Sequence, residues 1–221
     1  MKNPSPPIIA VDGPAASGKG TLAKRLAAHF DYAYLDTGLI YRAVAAAILK
    51  AGLDPHDAAM SEKIAKTITW QDLSSPDLRT EEVSQATSIS SLHPGLRAAV
   101  LQMQRDFASR PPKAKKGAVL DGRDIGTVVC PDAQIKLFIT ASPEIRAARR
   151  VKELQNKGIP AIETQVLADL QQRDRRDSTR AVAPLKPAPD AYILDTSSLD
   201  AEEAFQAALA YINSRTAGKL S

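Results

Sequence analysis

Ile8-Ile9-Ala10-Val11-Asp12-Gly13-Pro14-Ala15-Ala16-Ser17-Gly18-Lys19-Gly20-Thr21 is the stretch whose reading decides the fold. Its first four residues are a short apolar run, the pattern of a buried strand. Over residues 18–30, apolar side chains recur at Leu22, Leu26 and Phe30, one stripe of a helix. Between strand and helix lies Gly-x-x-x-x-Gly-Lys, from Gly13 to Lys19. The spacing has a mechanical reason. Backbone N–H groups must curl around phosphate oxygens, and side chains at the two glycines would obstruct that approach. The helix start adds positive potential, and Lys19 reaches the outer phosphates. A glycine-rich turn without a ligand is the alternative, but it leaves the strand, the helix and Lys19 in their places unexplained. Gly20 stands where the general motif has the Ser or Thr that holds Mg²⁺, and Thr21 comes one residue late. Direct ligation of a metal by a hydroxyl at that position is therefore not expected.

Outward from this stretch the chain alternates short apolar runs with longer helical patterns. Further strands are expected at Tyr34-Leu35, at Ala118-Val119-Leu120, over residues 135–139 and at Tyr192-Ile193-Leu194. Residues 38–50 read as an Ala-rich helix closed by Gly52. Residues 54–110 are mostly helical and polar, with a loop over 70–80. A helix from about Pro94 carries Leu96, Val100, Met103 and Phe107 on one side and ends at Pro111-Pro112. Ser142-Pro143 starts a helix that stops at Gly158. Two more helices are expected, over 163–176 and 201–214. The result is an α/β fold with a five-stranded parallel sheet in three layers. Such sheets bind ligands at the carboxyl ends of their strands.

The bulk numbers fit one domain over residues 1–221. Hydrophobic residues are 44% and charged residues 24%, an ordinary globule with a sizeable core. Three prolines within residues 1–7 mark a loose leader, without the apolar run of a signal peptide. No stretch approaches the ~18 apolar residues that span a bilayer. One cysteine, Cys130, forms no intrachain disulfide, and a cytoplasmic location is expected. The net charge of +4 points to an anionic partner. Nucleic acid is disfavoured, because aromatics are only 5% and the densest Arg segment alternates with Asp. His29, His56 and His93 show no metal spacing. Lys113, Lys115 and Lys116 read as a solvated loop, Trp70 as a core aromatic and Cys130 as packing.

Four blocks carry a family resemblance. They are residues 13–21, Leu35-Asp36-Thr37-Gly38-x-x-Tyr41-Arg42, Asp121-Gly122-Arg123-Asp124-x-Gly126-Thr127, and Arg173-Asp174-x-Arg176-Asp177-x-x-Arg180-Ala181-x-Ala183-Pro184-Leu185. Gly-Lys-Gly-Thr is the phosphate-loop form of nucleoside monophosphate kinases, and the blocks together resemble the bacterial cytidylate kinases. The resemblance implies a P-loop kinase fold, with an acceptor-binding insertion at about 39–112 and a short lid at about 149–160. It implies transfer of the γ-phosphoryl group of ATP to CMP or dCMP, with Mg²⁺, by a monomeric enzyme of pyrimidine nucleotide metabolism. ATP would lie on Gly13, Pro14, Ala15, Ala16, Ser17, Gly18, Lys19, Gly20 and Thr21, under lid residues Arg149, Arg150 and Lys157. Thr37, Tyr41, Arg42 and Gly122 would contact the acceptor, and Ser88, Arg97 and Asp124 would read cytosine. Arg123 and Arg180 would hold phosphate, and Arg173 with Asp177 the ribose. Lys19, Arg123 and Arg180 are the expected catalytic residues. One stretch departs: only residues 69–78 stand where better-known members carry a small extra antiparallel sheet.

The chemistry argues for the same site. In-line transfer between two nucleotides needs positioning and charge neutralisation. Arginine suits this, because its fork binds phosphate bidentately and stays charged. Arg173, Asp177 and Arg180 lie at i, i+4 and i+7, so they are expected on one helix face beside Arg176, although a solvated face of ion pairs fits the same spacing. Asp121 ends an apolar strand and is expected to orient Mg²⁺ through water, the alternative being a helix cap. A kinase for a hydroxyl acceptor, with Asp36 or Asp124 as base, would need fewer cations. A nucleotide-dependent switch would leave the arginine blocks unexplained.

Overall fold

The computed structural model describes residues 6–216, so residues 1–5, most of the proline-rich leader, lie outside the described residues. The strands are β1 (Ile8–Asp12), β2 (Ala33–Asp36), β3 (Ala118–Gly122), β4 (Ile135–Thr140) and β5 (Tyr192–Asp195). They form one sheet in the order β2-β3-β1-β4-β5, and every neighbouring pair is parallel. Parallel neighbours need long crossovers, which helices supply. These are α1 (Lys19–Phe30), α2 (Gly38–Lys50), α3 (Ala58–Ala65), α4 (Glu81–Ser90), α5 (Pro94–Ser109), α6 (Pro143–Asn156), α7 (Glu163–Thr179) and α8 (Ala201–Thr216).

The strand period of two sorts side chains onto two faces. Ile9 and Val11 of β1 pack with Leu137 and Ile139 of β4 and with Leu26 and Ile212 of α1 and α8. Ala10, between them, joins Leu35, Leu120, Ile40, Val44 and Leu96 on the opposite face. Both faces are covered, so β3 is buried at all five positions. β5 lies at the sheet edge, which leaves Ile193 exposed.

The register lines up the strand ends that matter. Asp12 lies beside Gly122, and Asp36 lies beside Asp121. The loop after β1 has no room for a side chain at its first glycine. Gly13 has φ 154°, and a Cβ there would fall 2.0 Å from the Ile139 carbonyl oxygen. That oxygen belongs to a central strand and cannot retreat. Gly13→Ala is therefore expected to cost roughly 3 kcal/mol or more. A thermal melt would show a midpoint lowered by many degrees; a midpoint within a degree or two of the parent would contradict this.

Local capping follows the sequence where side chains can do it. The Ser142 hydroxyl accepts from Ile145 N at 3.3 Å, with Pro143 in the first turn of α6. Thr80 caps α4 and Asp57 caps α3. Helix α1 is the exception: its cap residue is Gly18, at φ 86°, and no side chain caps it. Its first N–H groups lack intrahelical partners, an arrangement suited to an anion.

Two expectations need correction. Helix α7 ends at Thr179, and Arg180 has extended backbone (φ −62°, ψ 144°), so Arg180 does not share a helical face with Arg173 and Asp177. Trp70 is not core: it is 46% exposed and rests tilted against Phe107. It opens the first of two short 3₁₀ turns, Trp70–Ser74 and Pro76–Arg79, which fill the shortened 69–78 stretch without any strand.

Candidate active site

A cleft of about 920 Å³ opens at the carboxyl ends of the strands. Every residue that the sequence reading placed in the site lines it, apart from Gly13 and Pro14 at the loop's base and Lys157. The phosphate loop forms one end. Its carbonyls are tied down by residues the sequence reading did not single out. Arg146 Nη1 donates to Ala15 O at 3.3 Å, and Thr196 Oγ1 donates to Ser17 O at 3.1 Å. Arg146 also donates to Ala141 O and to the Asp174 carboxylate, at 3.0 and 2.6 Å, and so joins α6, α7 and the loop. Arg149 donates to Thr196 O at 2.6 Å and to Thr196 Oγ1 at 3.0 Å, which fixes it beside the loop. Arg150 bridges the cleft mouth from α6, pairing with Glu81 of α4 and with Glu153, both at 2.9 Å.

Lys19, Arg42, Arg123, Arg173 and Arg180 all line the cleft. Burial, and next the neighbouring Arg123, lower Lys19 to about 8 and Arg173 to about 10. Burial likewise lowers Arg42 and Arg180. Two donors in this crowd, Arg173 Nε and Arg180 Nη2, are buried without a hydrogen-bond partner. Cations pressed together in this way are costly in the empty fold and are relieved by a polyanion. The Ser17 hydroxyl, in the loop itself, is buried and unpartnered too.

Acids are placed sparingly among these charges. Arg123 Nε donates to Asp177 Oδ2 at 3.0 Å, and Arg180 lies 3.7 Å from its other oxygen. Burial works against the Asp177 charge, but Arg123, Arg173 and Arg180 together hold its carboxyl below the usual range. Arg180 keeps its place despite leaving the helix, because its Nε donates to Ala183 O at 2.6 Å. Ala183 adopts a left-handed conformation (φ 53°) to offer that carbonyl.

Asp121 lies within β3, so the helix-cap alternative falls away. Its carboxylate accepts from the Tyr34 hydroxyl at 2.7 Å. Gly20 packs against it: a Cβ at position 20 would lie 3.2 Å from Asp121 Oδ2. Burial raises the Asp121 carboxyl, Lys19 opposes that rise, and Asp36 adds to it.

At the far end of the cleft, Asp124 and Arg97 form a buried pair, with Nη2 to Oδ2 at 2.7 Å. Arg97 also donates to Ser91 O at 3.2 Å and lies over the Tyr41 ring. Arg42 reaches Leu78 O at 3.0 Å and Ser84 Oγ at 3.3 Å. The Thr37 hydroxyl donates to Asp121 O at 2.8 Å.

Asp12 was not singled out from sequence. Its carboxylate accepts from Ile125 N and Gly126 N, both at 2.8 Å, and so fixes the π-helical turn Ile125–Val129 that follows Asp124. Burial pushes its carboxyl up to about 7, although these two N–H groups pull it back. Between about pH 4 and pH 7 the folded chain therefore holds a proton that the unfolded chain releases. Stability should fall as pH rises through that window, with Asp121 adding the same sign. Thermal midpoints measured from about pH 5 to about pH 7.5 test this: the midpoint should decline, and Asp12→Asn should flatten the decline. A midpoint that rises over that interval would contradict the assignment.

Comparison with known proteins narrows the chemistry. The model of the cytidylate kinase family matches residues 9–214. A cytidylate kinase of Paramagnetospirillum magneticum is 62% identical over 208 residues, covering 94% of this chain and 98% of the relative. One from Rhodopseudomonas palustris is 54% identical over 212 residues, covering 96% and 98%. Among solved structures, a sugar kinase from Janibacter superposes with a TM-score of 0.50 at 14% identity, covering 95% of each chain. An uncharacterized protein from Eubacterium ventriosum gives 0.53 at 16%, covering 94% and 99%. At those identities the likeness concerns the fold alone. The sequence relatives go further, and with the phosphate loop and the arginine-lined cleft in place the chain belongs to the cytidylate kinase family.

Proposed function

We propose that the cleft holds two facing nucleotides, ATP on residues 13–21 and CMP or dCMP at the end walled by Ser88, Arg97 and Asp124. The reaction follows from the family: the γ-phosphoryl group of ATP passes to CMP or dCMP, giving ADP and CDP or dCDP. One observation carries the residue assignment, the crowd of buried cations with unpartnered donors between the two ends. Two nucleotides would bring many negative charges to that point, which Lys19, Arg123 and Arg173 line.

Lys19, Arg123 and Arg180 neutralise charge on the phosphoryl group as it moves. Arg42 holds the acceptor phosphate, and Arg173 with Asp177 holds the acceptor sugar. Thr37, Tyr41 and Gly122 shape the wall between them. Asp124 accepts from the cytosine amine. Arg149 and Arg150 close over the donor phosphates, within a short lid at about 149–160. Residues 39–112 form the acceptor-binding insertion. Closure excludes water and limits wasteful hydrolysis of ATP. No covalent intermediate with the protein is involved.

Mg²⁺ fits this donor set. One buried carboxylate, Asp121, with Asp36 beside it across the sheet, suits an ion held chiefly by substrate phosphates and water. Gly20 offers no hydroxyl, so Asp121 acts through water, with Tyr34 fixing one of its oxygens. When bound, the ion would spread the charge of the donor phosphates. The protein works as a monomer in the cytoplasm.

Calorimetric titration of the protein with CMP, dCMP, UMP and AMP tests the acceptor assignment. CMP and dCMP should bind at least about tenfold more tightly than UMP or AMP. Equal affinity for all four would remove the base-reading role of the far end.

A further inference from the structure

The phosphate loop lacks one hydroxyl, because Gly20 stands where the general motif has a Ser or Thr. The structure shows where that hydroxyl would fall. A Cβ at position 20 would lie 3.2 Å from Asp121 Oδ2, so an oxygen one bond further out would meet the Asp121 carboxylate. Another hydroxyl is already there. The Tyr34 hydroxyl donates to the same Oδ2 at 2.7 Å, and it lies 3.9 Å from that Cβ position. Tyr34 comes from the neighbouring strand, β2. It pairs with Val119, and Asp121 follows two residues on, so the two side chains share one face of the sheet. The Tyr34 ring packs against the cluster that includes Leu22 and Leu26 of α1, and the residue also lines the cleft. Thr21 is no substitute: it is turned about 100° further round α1 and is exposed. Among the described residues no other donor bonds the Asp121 side chain, so without Tyr34 the carboxylate would be free to turn.

We propose that Tyr34 is a positioning residue for the metal: its hydroxyl takes, from the neighbouring strand, the place at Asp121 that a loop hydroxyl at position 20 would take, and so holds Asp121 toward the ion. This rests on the reading above, that Asp121 orients Mg²⁺ through water, and deepens it. The bond engages Oδ2 and leaves Oδ1 to accept from the ion's water. Partners that orient a metal-binding group in this way set the affinity of the site although they never touch the metal. Gly20 and Tyr34 are then two halves of one exchange. A serine at position 20 would compete for the oxygen that Tyr34 holds, and a phenylalanine at position 34 would leave that oxygen without a donor.

Calorimetry tests this with the β,γ-imido analogue of ATP, titrated once with Mg²⁺ and once with EDTA. The proteins are the wild type, Tyr34→Phe, Asp121→Asn, Gly20→Ser/Tyr34→Phe and Gly20→Ala/Tyr34→Phe, with a thermal melt of each. The quantity read is the gain in affinity that Mg²⁺ brings. Tyr34→Phe should lower that gain by about tenfold, the smaller end of what an orienting partner is worth, and should leave the Kd in EDTA within about twofold of the wild type. Gly20→Ser in the Tyr34→Phe background should bring the gain back to within about threefold, because the hydroxyl returns to the same oxygen. Gly20→Ala, which adds the carbon without the hydroxyl, should not. A gain left intact in Tyr34→Phe overturns the inference. So does an equal loss with and without Mg²⁺, the mark of a packing role, or a rescue by Ala as good as that by Ser. In each of these cases a gain abolished in Asp121→Asn leaves the Asp121 reading standing. A wild type that binds equally well in both conditions overturns both.

Discussion

Lys19→Ala is expected to lower turnover by roughly 10²–10³-fold, the usual cost of removing one preorganised charge from a transferring group. The loss should come without loss of fold. Lys19 is buried, its ammonium is depressed to about 8, and burial and Arg123 both press it toward neutrality. Removing it relieves repulsion in the cation crowd, so the melting point should hold or rise. This is the trade between stability and activity expected of a functional site. Steady-state rates with ATP and CMP, together with a thermal melt, check both halves. A variant that keeps more than about a tenth of the parental rate would show that the loop lysine is not where the transferring charge sits.

Asp124 carries the second large effect. Its side chain and that of Arg97 are 8% and 6% exposed, and they meet at 2.7 Å. Asp124→Ala leaves Arg97 buried without its partner, which costs about 3–5 kcal/mol of stability. It should also raise the KM for CMP far more than the KM for ATP, since the phosphate loop lies at the other end of the cleft. Equal effects on both nucleotides would contradict base reading by Asp124. Asp124→Asn separates recognition from packing. Its amide oxygen can still accept from Arg97, while its NH₂ group faces the base as a donor. The acceptor preference should then move from CMP toward UMP, which carries an oxygen where cytosine has an amine. Competition between CMP and UMP in one reaction measures the shift directly.

What the sequence made legible was local. The run from Ile8 to Thr21 is strand, loop and helix by period and spacing alone, and all five strands fall where short apolar runs stand. The arginines were legible as phosphate binders in kind, but their convergence from positions 42, 123, 173 and 180 came from the resemblance. Periodicity says nothing of contacts across such distances. The residues that were missed act at long range. Asp12 holds a turn more than a hundred residues away, and Arg146 ties the loop to Asp174. Tyr34 fixes Asp121. None of these has a spacing that marks it. Arg180 was placed on a helix face because counting by turns assumes that the helix continues. It stops at Thr179, and the left-handed Ala183 before Pro184 brings the side chain back to the cleft by another route.

The central claim is that one cleft transfers a phosphoryl group from ATP to a cytidine nucleotide and rejects the other bases. A coupled assay of ADP formation tests it most directly, with ATP, Mg²⁺ and, in separate reactions, CMP, dCMP, UMP, AMP, GMP and shikimate. The account predicts rapid turnover with CMP and dCMP and little with the rest. That result would also show that the 3₁₀ turns of residues 70–79 suffice where other members carry an extra sheet. Turnover with shikimate, or with none of the nucleotides, would contradict it.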